Sequence, residues 1–578
     1  MRNWVLFLFV VSSYWSNAQS YNALTPTDTL RYSSRFGGKI DSIDLFNSFL
    51  SSTNPAGSIS ANNTFTSNWL FVNHGAQLQQ NFNDWQALKF SGLPHIGFNY
   101  SFGSQGVQNV CMNYQQNFGK NLTVNLEYKK NKANGYLRNS AYSINDIQFQ
   151  LAKRGKFFSF HTQALYVVSD FQVNDGLIED SLADDFALRL LPVQNENASH
   201  KNQRTKIEHT NFFDLNKDSL NAVGFYTNHQ LAIRNLRYTE EKDSLQFYYS
   251  KINYDSTLTM DQNQCSSLNN GVGLFFKNRR STLSLGGDMR YWKYDNLIYR
   301  NDTTEINLVA NYQFKSQRFV VSNFFKQNIY GAKQEMENRF AALLKLNKST
   351  IGLSARFENL LPELHQRFNY ANNYDYKLEN PSTQSRFYGD LRFSTILKFI
   401  DVDANISFVQ LKDNYFFIDT IWRDDTLSTI SLTQFNLRAD YRLKQLHLQP
   451  SYTYSLSNSS IQFTPNHQVN LRVFVKGGLF KAKKLQAYLG VDASYVSRFN
   501  AIEFNVLSGS YEFWNGNAVN NGFANLHFFT GFQIDEFKFY VRYENIGYFW
   551  NQHSLPVLSK HPIAGTQFRL GLTWDFFN

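Results

Sequence analysis

The chain has 578 residues and a mass of 67.2 kDa, enough for several soluble domains. Composition argues against that division: aromatics make up 17%, with 54 Phe and 33 Tyr, yet mean hydropathy is −0.43 and only 10 Pro are present, so the apolar load is interleaved with polar residues as in period-two strands. The net charge of +10 sets 56 basic against 46 acidic residues with no long basic run, which gives no nucleic-acid footprint, and the two cysteines, Cys111 and Cys265, offer neither a disulfide framework nor a cysteine metal site.

From the N-terminus, a basic start (Met1-Arg2-Asn3), an apolar run from Trp4 to Val11 and small residues in Ser16-Asn17-Ala18 make a secretory leader, with cleavage expected after Ala18. No Cys follows that point, so a lipid-anchored N-terminus is not expected. Residues 19–94 read as a periplasmic or lumen-inserted segment, with Trp69, Leu70 and Phe71 as a candidate anchoring strand. No later stretch approaches the ~18 to 20 apolar residues of a membrane helix. A secreted soluble protein or a closed barrel remains, because in lipid only helices and closed barrels satisfy every backbone polar group.

Strict alternation over strands of membrane length favours the barrel. It runs from Asn121 to Lys129, Glu305 to Phe314, Asp401 to Phe408, Gln434 to Leu443, Glu536 to Glu544 and Gln567 to Phe576. Tight polar links at Phe118 to Lys120, Lys153 to Gly155, Lys277 to Arg280, Lys315 to Gln317, Asn347 to Ser349 and Asp535 alternate with long connections. The long ones are Asn174 to Lys201, Glu240 to Ser267, Leu361 to Ser385, Asp413 to Leu427, Arg498 to Asn521 and Ile546 to Ala564. Short turns at one rim and long loops at the other are the outer-membrane plan. The fold class expected is all-β, a transmembrane antiparallel barrel over 95–578 with about 22 strands (range 18 to 24), as counted from the alternation. Pro450 disturbs the scheme, since a closed barrel has no edge to excuse a missing donor, and a bulge or an earlier strand end is expected there. Aromatic girdles are expected at Trp574, Phe576 and Phe577, at Tyr291, Trp292 and Tyr294 before a long loop, and at Tyr548, Phe549 and Trp550 before another.

Six stretches carry a resemblance. The C-terminal Arg569-Leu570-Gly571-Leu572-Thr573-Trp574-Asp575-Phe576 resembles the signal read by the barrel assembly machinery, with Arg569, Gly571, Trp574 and Phe576 as its elements, although the chain ends in Asn578. The run from His95 to Gln108, Tyr114 to Phe118, and Gly135-Tyr136-Leu137-Arg138-Asn139 are similar to the putative-porin family of Bacteroidetes outer membranes. Asn174-Asp175-Gly176-Leu177-Ile178 resembles that family's Asn-Gly-Gly-Ile loop with one Gly replaced, and Pro562 to Phe568 resembles the entry to the last strand of such barrels. The resemblance implies an outer-membrane location, with lipid and lipopolysaccharide around the barrel, the assembly machinery as partner during biogenesis, and a pore.

No chemistry of an enzyme stands out. Gly271-Val272-Gly273 lacks a third glycine and opens a strand, the histidines form no His-Glu-x-x-His pair, and no cofactor is expected. Asp170, Asp175, Glu179, Asp180, Asp184 and Asp185 gather in one loop without Ca²⁺-loop spacing and read as a solvated acidic loop. The expected function is passive diffusion of small polar solutes through a water-filled lumen, with a plugged active transporter and a structural or accessory subunit of an outer-membrane assembly, secretion or surface-lipoprotein complex as rivals. Arg438, Arg442, Arg472, Lys538, Arg542 and Arg569 fall on inward faces and would give a weak anion preference. Asp401, Asp403, Asp440, Glu536 and Glu544 share those faces and would neutralise the wall if paired.

Overall fold

The structure, a computed structural model, describes residues 93–577 apart from 120, 154, 156, 217–220, 333–334, 363, 379–380, 414, 419–420, 425–428, 459–463, 482–483, 502, 513–518, 555 and 559. The expected leader and the segment 19–92 lie outside the described residues. Barrel strands are numbered in chain order, and short loop hairpins are given by residue range. The first eight are β1 (His95–Gly103), β2 (Gln108–Phe118), β3 (Leu122–Ala133), β4 (Tyr142–Lys153), β5 (Phe158–Val173), β6 (Ala198–Asp214), β7 (Ala222–Glu241) and β8 (Leu258–Lys277). Next come β9 (Ser281–Asn296), β10 (Arg300–Lys315), β11 (Phe319–Tyr330), β12 (Met336–Lys345), β13 (Ser349–Leu360), β14 (Gln384–Ile396) and β15 (Ile400–Lys412). The last are β16 (Thr429–Leu443), β17 (Leu446–Ser457), β18 (His467–Leu479), β19 (Leu485–Val496), β20 (Phe523–Ile534), β21 (Phe537–Glu544) and β22 (Gln567–Phe577).

These 22 strands form one antiparallel sheet in which each pairs with the next in sequence, and β22 returns to β1 in register from His95↔Phe577 to Gly103↔Arg569. The sheet is a closed barrel, and every strand has two neighbours. The cause is the period-two pattern: Leu126, Leu308, Ile406, Leu437 and Tyr543 face outward and are exposed, while Thr123, Asn307, Ser407, Gln434 and Glu544 on the alternate positions are buried inside. That is the reverse of a soluble core and is what a hydrocarbon surround requires.

Both ends of the barrel chain lie at one rim, whose links are short, among them 119–121, 278–280, 316–318, 346–348, 397–399 and 444–445. The opposite rim carries 174–197, 242–257, 361–383, 413–428, 497–522 and 545–566. By the outer-membrane plan the first rim is periplasmic. Three expectations change here. The connection expected from Glu240 to Ser267 is shorter, because β7 and β8 stay paired to Glu241↔Leu258; residues 261–267 carry no large apolar side chain on either face and so show no alternation. The link after Tyr294 is not a long loop but the three residues 297–299. Gly271-Val272-Gly273 lies inside β8 and does not open it.

The wall is uneven in height. Strands β5 to β10 have 16 to 20 residues, whereas β1, β21 and β22 have 9, 8 and 11. Along the outward face of β9, Leu283, Leu285, Met289 and Tyr291 are exposed and the next outward positions are Lys293 and Asp295, so the apolar band ends at Tyr291. Of the three residues read as one girdle, only Tyr291 faces lipid. Trp292 is adjacent and takes the opposite face, and Tyr294, buried on that inner face, shares its one hydroxyl proton between two acceptors within reach, Asn263 Oδ1 (2.8 Å) and the Phe368 carbonyl (2.7 Å). Trp574 and Phe576 are outward, as a girdle requires. Tyr548 and Phe549 belong to a short helical turn, Ile546–Phe549, within a loop.

Pro450 needs neither a bulge nor a strand end. It faces outward in an uninterrupted β17 and pairs with Leu471 of β18. On the β16 side the ladder runs from Leu432↔Ser457 to Arg438↔Ser451, omits two positions, and resumes in unchanged register at Tyr441↔Leu448. The missing N–H removes local bonds without moving the strand.

At the C-terminus Gly571 faces inward beneath the Tyr540 ring, and a Cβ there would fall within that ring. Tyr540 also packs on the inward cluster of Phe474, Tyr488 and Phe529. The assembly signal therefore carries an inner contact at Gly571 and an outer apolar face at Trp574 and Phe576. We expect the native protein to migrate faster unboiled than boiled on detergent gels, and Gly571→Leu, or Trp574→Ser with Phe576→Ser, to remove that folded band from outer-membrane fractions. Normal folded levels of either variant would separate the last strand from assembly.

Candidate functional site: the lumen wall and its roof

All six cations read from the sequence occupy inward positions. Three of them meet on the low side of the wall, brought together by β18, β19, β21 and β22. Arg472 Nε donates to Asp492 Oδ1 (2.5 Å) and its Nη2 to Oδ2 (3.2 Å). Arg542 Nη1 donates to the same Asp492 Oδ2 (3.1 Å) and its Nε to Glu544 Oε1 (3.0 Å), while Arg569 Nε lies 3.5 Å from Glu544 Oε2. Both the Arg472 and Arg542 guanidiniums also stand over the Phe529 ring, at 5.6 and 5.9 Å. Four of the five charged groups are buried, Arg472 is largely so, and together they carry a net +1. Desolvation makes such charges costly unless each keeps its partner, and removing one partner of a buried pair costs about 3–5 kcal/mol.

Farther round the wall Arg442 pairs with Asp401 and lies 3.8 Å from Asp440. Arg438 is exposed to the lumen across from Asp403, whose carboxylate accepts from Arg392 (2.6 Å) and the Ser394 hydroxyl (2.7 Å). Lys538 stands inward on β21 opposite Gln533 and Thr573. Of the acids expected among them, Glu536 lies in the turn between β20 and β21 and not on the wall. Sequence reading missed part of the belt: Arg339 pairs with Glu337, Arg356 with Glu358 and with Glu337 (3.8 Å), and Lys326 with Asp288 (3.8 Å). The signal was present as charges two apart, Glu337/Arg339 and Arg356/Glu358, which places both on one strand face. Opposite this belt, the inner face of β2 to β5 carries amides in one register row, Gln115, Asn125, Gln150 and Gln163. Cys111 and Cys265 stand on β2 and β8, and no disulfide joins them.

Long loops fold over the mouth and hold one another. In loop 361–383, Asn372 is the anchor. Its backbone N–H donates to Asp261 Oδ1 (2.7 Å), its amide donates to the Asp255 carbonyl (2.7 Å) and Thr259 Oγ1 (3.0 Å), and its Oδ1 accepts from the backbone of Tyr254 and Asp255. The loop thus ties loop 242–257 to the inner wall of β8. Behind it Ala371, Tyr374, Tyr376 and Tyr415 form a core against which Leu507 of loop 497–522 packs. That last loop reaches the tall side, where His200 Nε2 contacts the Val506 carbonyl at 2.5 Å.

A second knot joins the stretches that carried the family resemblance. Tyr136, Leu137, Leu177, Ala183, Leu188, Leu191, Val193 and Ala564 share one core, and Tyr136 donates to the Pro562 carbonyl (2.9 Å). Asn174 donates to the Arg138 carbonyl (2.7 Å) and its Oδ1 lies 3.0 Å from His561 Nε2. Gly176, at φ +81°, lets Lys560 approach so closely that a Cβ would overlap it, which is why this loop needs glycine there. Asp184, expected to be a solvated acid, accepts from Ser554 Oγ (2.7 Å) and the backbone of His553 (2.6 Å) and Ser554 (3.1 Å). Slight burial would raise its pKa, but the Ser554 and His553 donors outweigh that and hold the carboxyl below its usual value. Being depressed in the folded protein, it supports the knot above the ordinary carboxylate range and loses that support as pH falls through the folded value. Among the described residues no cluster of three His, Cys, Asp or Glu is placed to hold a metal.

A closed barrel with an apolar exterior, a polar charged lumen and a loop-covered mouth defines an outer-membrane β-barrel. The chain belongs to the family described as "Putative porin", whose model matches residues 91–578. No curated protein matches it. Among solved structures it is similar to the siderophore receptor PirA from Acinetobacter baumannii (11% identity, TM-score 0.58, 85% of this chain and 81% of that one) and the copper transporter OprC (9%, 0.58, 86% and 83%). It is also similar to the FrpB iron transporter from Neisseria meningitidis (10%, 0.57, 84% and 83%). At these identities the likeness is one of fold.

Two expectations follow. Asp492→Asn, which strips both Arg472 and Arg542 of a carboxylate, should lower the midpoint of heat or urea unfolding followed by gel mobility, whereas Asp575→Asn at the periplasmic rim should leave it nearly unchanged. Asn372→Ala should make loop 361–383 open to limited proteolysis in intact membranes while the barrel keeps its folded gel mobility. Unchanged cleavage would show that the loop is held elsewhere.

Proposed function

We propose that the protein is a channel for the passive diffusion of small polar solutes across the outer membrane, a transport protein and not an enzyme, with a weak preference for anions. The observation that carries this reading is the lumen wall itself, where a belt of arginines running from β12 to β22 meets carboxylates on the same or neighbouring strands. A wall of paired opposite charges holds water and polar solutes without one dominant ion site, and the surplus of basic over acidic residues leaves only a mild bias toward anions. Arg438, exposed to the lumen, and Arg442, Arg472, Lys538, Arg542 and Arg569 are the side chains assigned to that bias. In this reading export proceeds with cleavage after Ala18, Arg569, Gly571, Trp574 and Phe576 are read by the assembly machinery, and lipopolysaccharide surrounds the outer half.

Reconstitution into planar bilayers tests the channel. We expect steady conductance and a reversal potential displaced slightly to the anion side under a salt gradient, moving toward zero in Arg438→Gln. A clear cation preference would overturn the assignment of the arginines, and a silent bilayer would overturn the channel. A second reading, a barrel subunit of an outer-membrane assembly, secretion or surface-lipoprotein complex, is favoured by the exposed apolar side chains on the roof, Ile178, Phe186, Leu190, Phe549 and Trp550. Silence together with a stoichiometric co-purifying protein would favour it.

A further inference from the structure

The lipid-facing surface of the barrel is interrupted on one side. On β10 the outward face reads Ile306, Leu308, Ala310, Tyr312 and Phe314, with no amide or imidazole among them. On β5 to β8 the same face carries Thr162, His209, Asn211, Thr227, His229 and Asn270, and Thr162, His209, His229 and Asn270 stand in one register row across the four strands. Apolar side chains close the island on both sides. Below it the Phe213 and Phe225 rings stack at 4.5 Å, and above it Ile207, Leu231 and Leu268 form the next row. The apolar span of β7 runs outward from Val223 to Ile233; a strand tilted about 40° covers about 25 Å of height over that length, the height of an outer-membrane apolar band. Thr227 and His229 fall in its middle, where there is no water.

The bonds within the row leave two groups over. Thr162 Oγ1 and His209 Nδ1 are 2.8 Å apart, as are His229 Nδ1 and Asn270 Oδ1. Asn270 Oδ1 only accepts, so His229 carries its proton on Nδ1 and keeps a bare Nε2 acceptor. The Thr162 hydroxyl has no other acceptor among the described residues and donates to His209 Nδ1, so His209 keeps an Nε2–H donor. Neither Nε2 has a hydrogen-bond partner among the described residues. In hydrocarbon an unpaired donor beside an unpaired acceptor is costly.

We infer that this island is the contact of the barrel with a second copy of this chain, in a pair whose two-fold axis runs along the membrane normal between β6 and β7. The balance of donor and acceptor selects a copy. A two-fold sets His209 of each protomer against His229 of the other, so each Nε2–H meets a bare Nε2 and no group of either protomer is left over. Lipid chains offer neither a donor nor an acceptor at this depth. The width also fits, since two convex walls touch over only a few strands and the island occupies four. Asn211 and Thr227, joined by Asn211 Nδ2 donating to Thr227 Oγ1 (3.2 Å), bring a second amide and hydroxyl to the same contact. The cations Lys201 and Arg237 stand eight residues farther up β6 and β7. Strand tilt carries them about 17 Å sideways from the axis, so they do not oppose their counterparts across it.

The test uses full-length protein in isolated outer membranes. A photoreactive diazirine amino acid in place of Leu231, beside the axis, should on irradiation join two chains into a species of twice the mass. The same probe in place of outward Leu471, on the far side of the barrel, should leave the chain single. Adding His209→Leu and His229→Leu should lower the yield of the joined species about tenfold, as the loss of two hydrogen bonds in a membrane warrants, while the folded gel band persists. Native protein transferred with its lipids into nanodiscs should have the mass of two chains. No joined species from position 231, equal yields from 231 and 471, a product with a protein of another mass, a single-chain mass in nanodiscs, or an undiminished yield in the leucine pair overturns the inference. The probe at 231 and the nanodisc mass are read with both histidines in place, so they decide the matter even if the leucine pair fails to assemble. None of these measurements needs conductance, so a silent bilayer would sink the diffusion reading and leave this one standing.

Discussion

Everything in this molecule follows from the obligation of backbone N–H and C=O groups to find partners where there is no water. A sheet meets that obligation in hydrocarbon only by having no edge, and the pairing of β22 with β1 removes the last one. Closure in turn fixes the faces. Once one face of every strand is committed to lipid, period two commits the other to the lumen, and the polar residues of a chain with mean hydropathy −0.43 have nowhere else to go. The lumen is therefore polar because the backbone must be closed, before any question of what passes through it.

A polar lumen in a membrane has its own constraint, which the ion pairs answer. Arginines on neighbouring strands would repel one another at interstrand spacing, yet Arg472, Arg542 and Arg569 sit within one group because Asp492 and Glu544 stand between them. The arrangement stiffens the short side of the barrel, where β21 contributes only 8 residues of ladder. It also explains how a basic wall can be buried.

Much of this was legible in the sequence because it is local and periodic. Leu437 between Asn436 and Arg438, or Leu572 between Gly571 and Thr573, declares its face by itself, and the strand count and the two unlike rims follow from such positions. Three kinds of information were not local. The tops of β7 and β8 rise above the lipid, where neither face must be apolar, so residues 258–267 looked like loop. Trp292 and Tyr294 looked like girdle residues because composition does not say which of two adjacent aromatics points out. The roof was invisible because its bonds span the chain: Asn372 meets Asp261 across 111 positions and Asn174 meets His561 across 387. The short sequence stretches at 135–139, 174–178 and 562–568 each resembled a family pattern, but nothing in any of them announced that all three form a single knot.

The uneven height of the wall bears on how the protein tolerates change at the cell surface. The mouth is slanted, with its roof slung from the low strands to the high ones, so the length of each low-side loop is set by a span it must cross. Loops 497–522 and 545–566 behave as measured cables, in which a few deleted residues would pull Val506 from His200 or Lys560 from Leu177. The turn 297–299, at the crest between β9 and β10, spans no gap in the mouth, although Tyr299 ties it to the roof by donating to Asp375 Oδ1 (2.9 Å) and packing on the Phe368 ring. It is the natural mast for a displayed peptide inserted between the exposed Leu297 and Ile298, where the hairpin can lengthen while Tyr299 keeps its place on the roof.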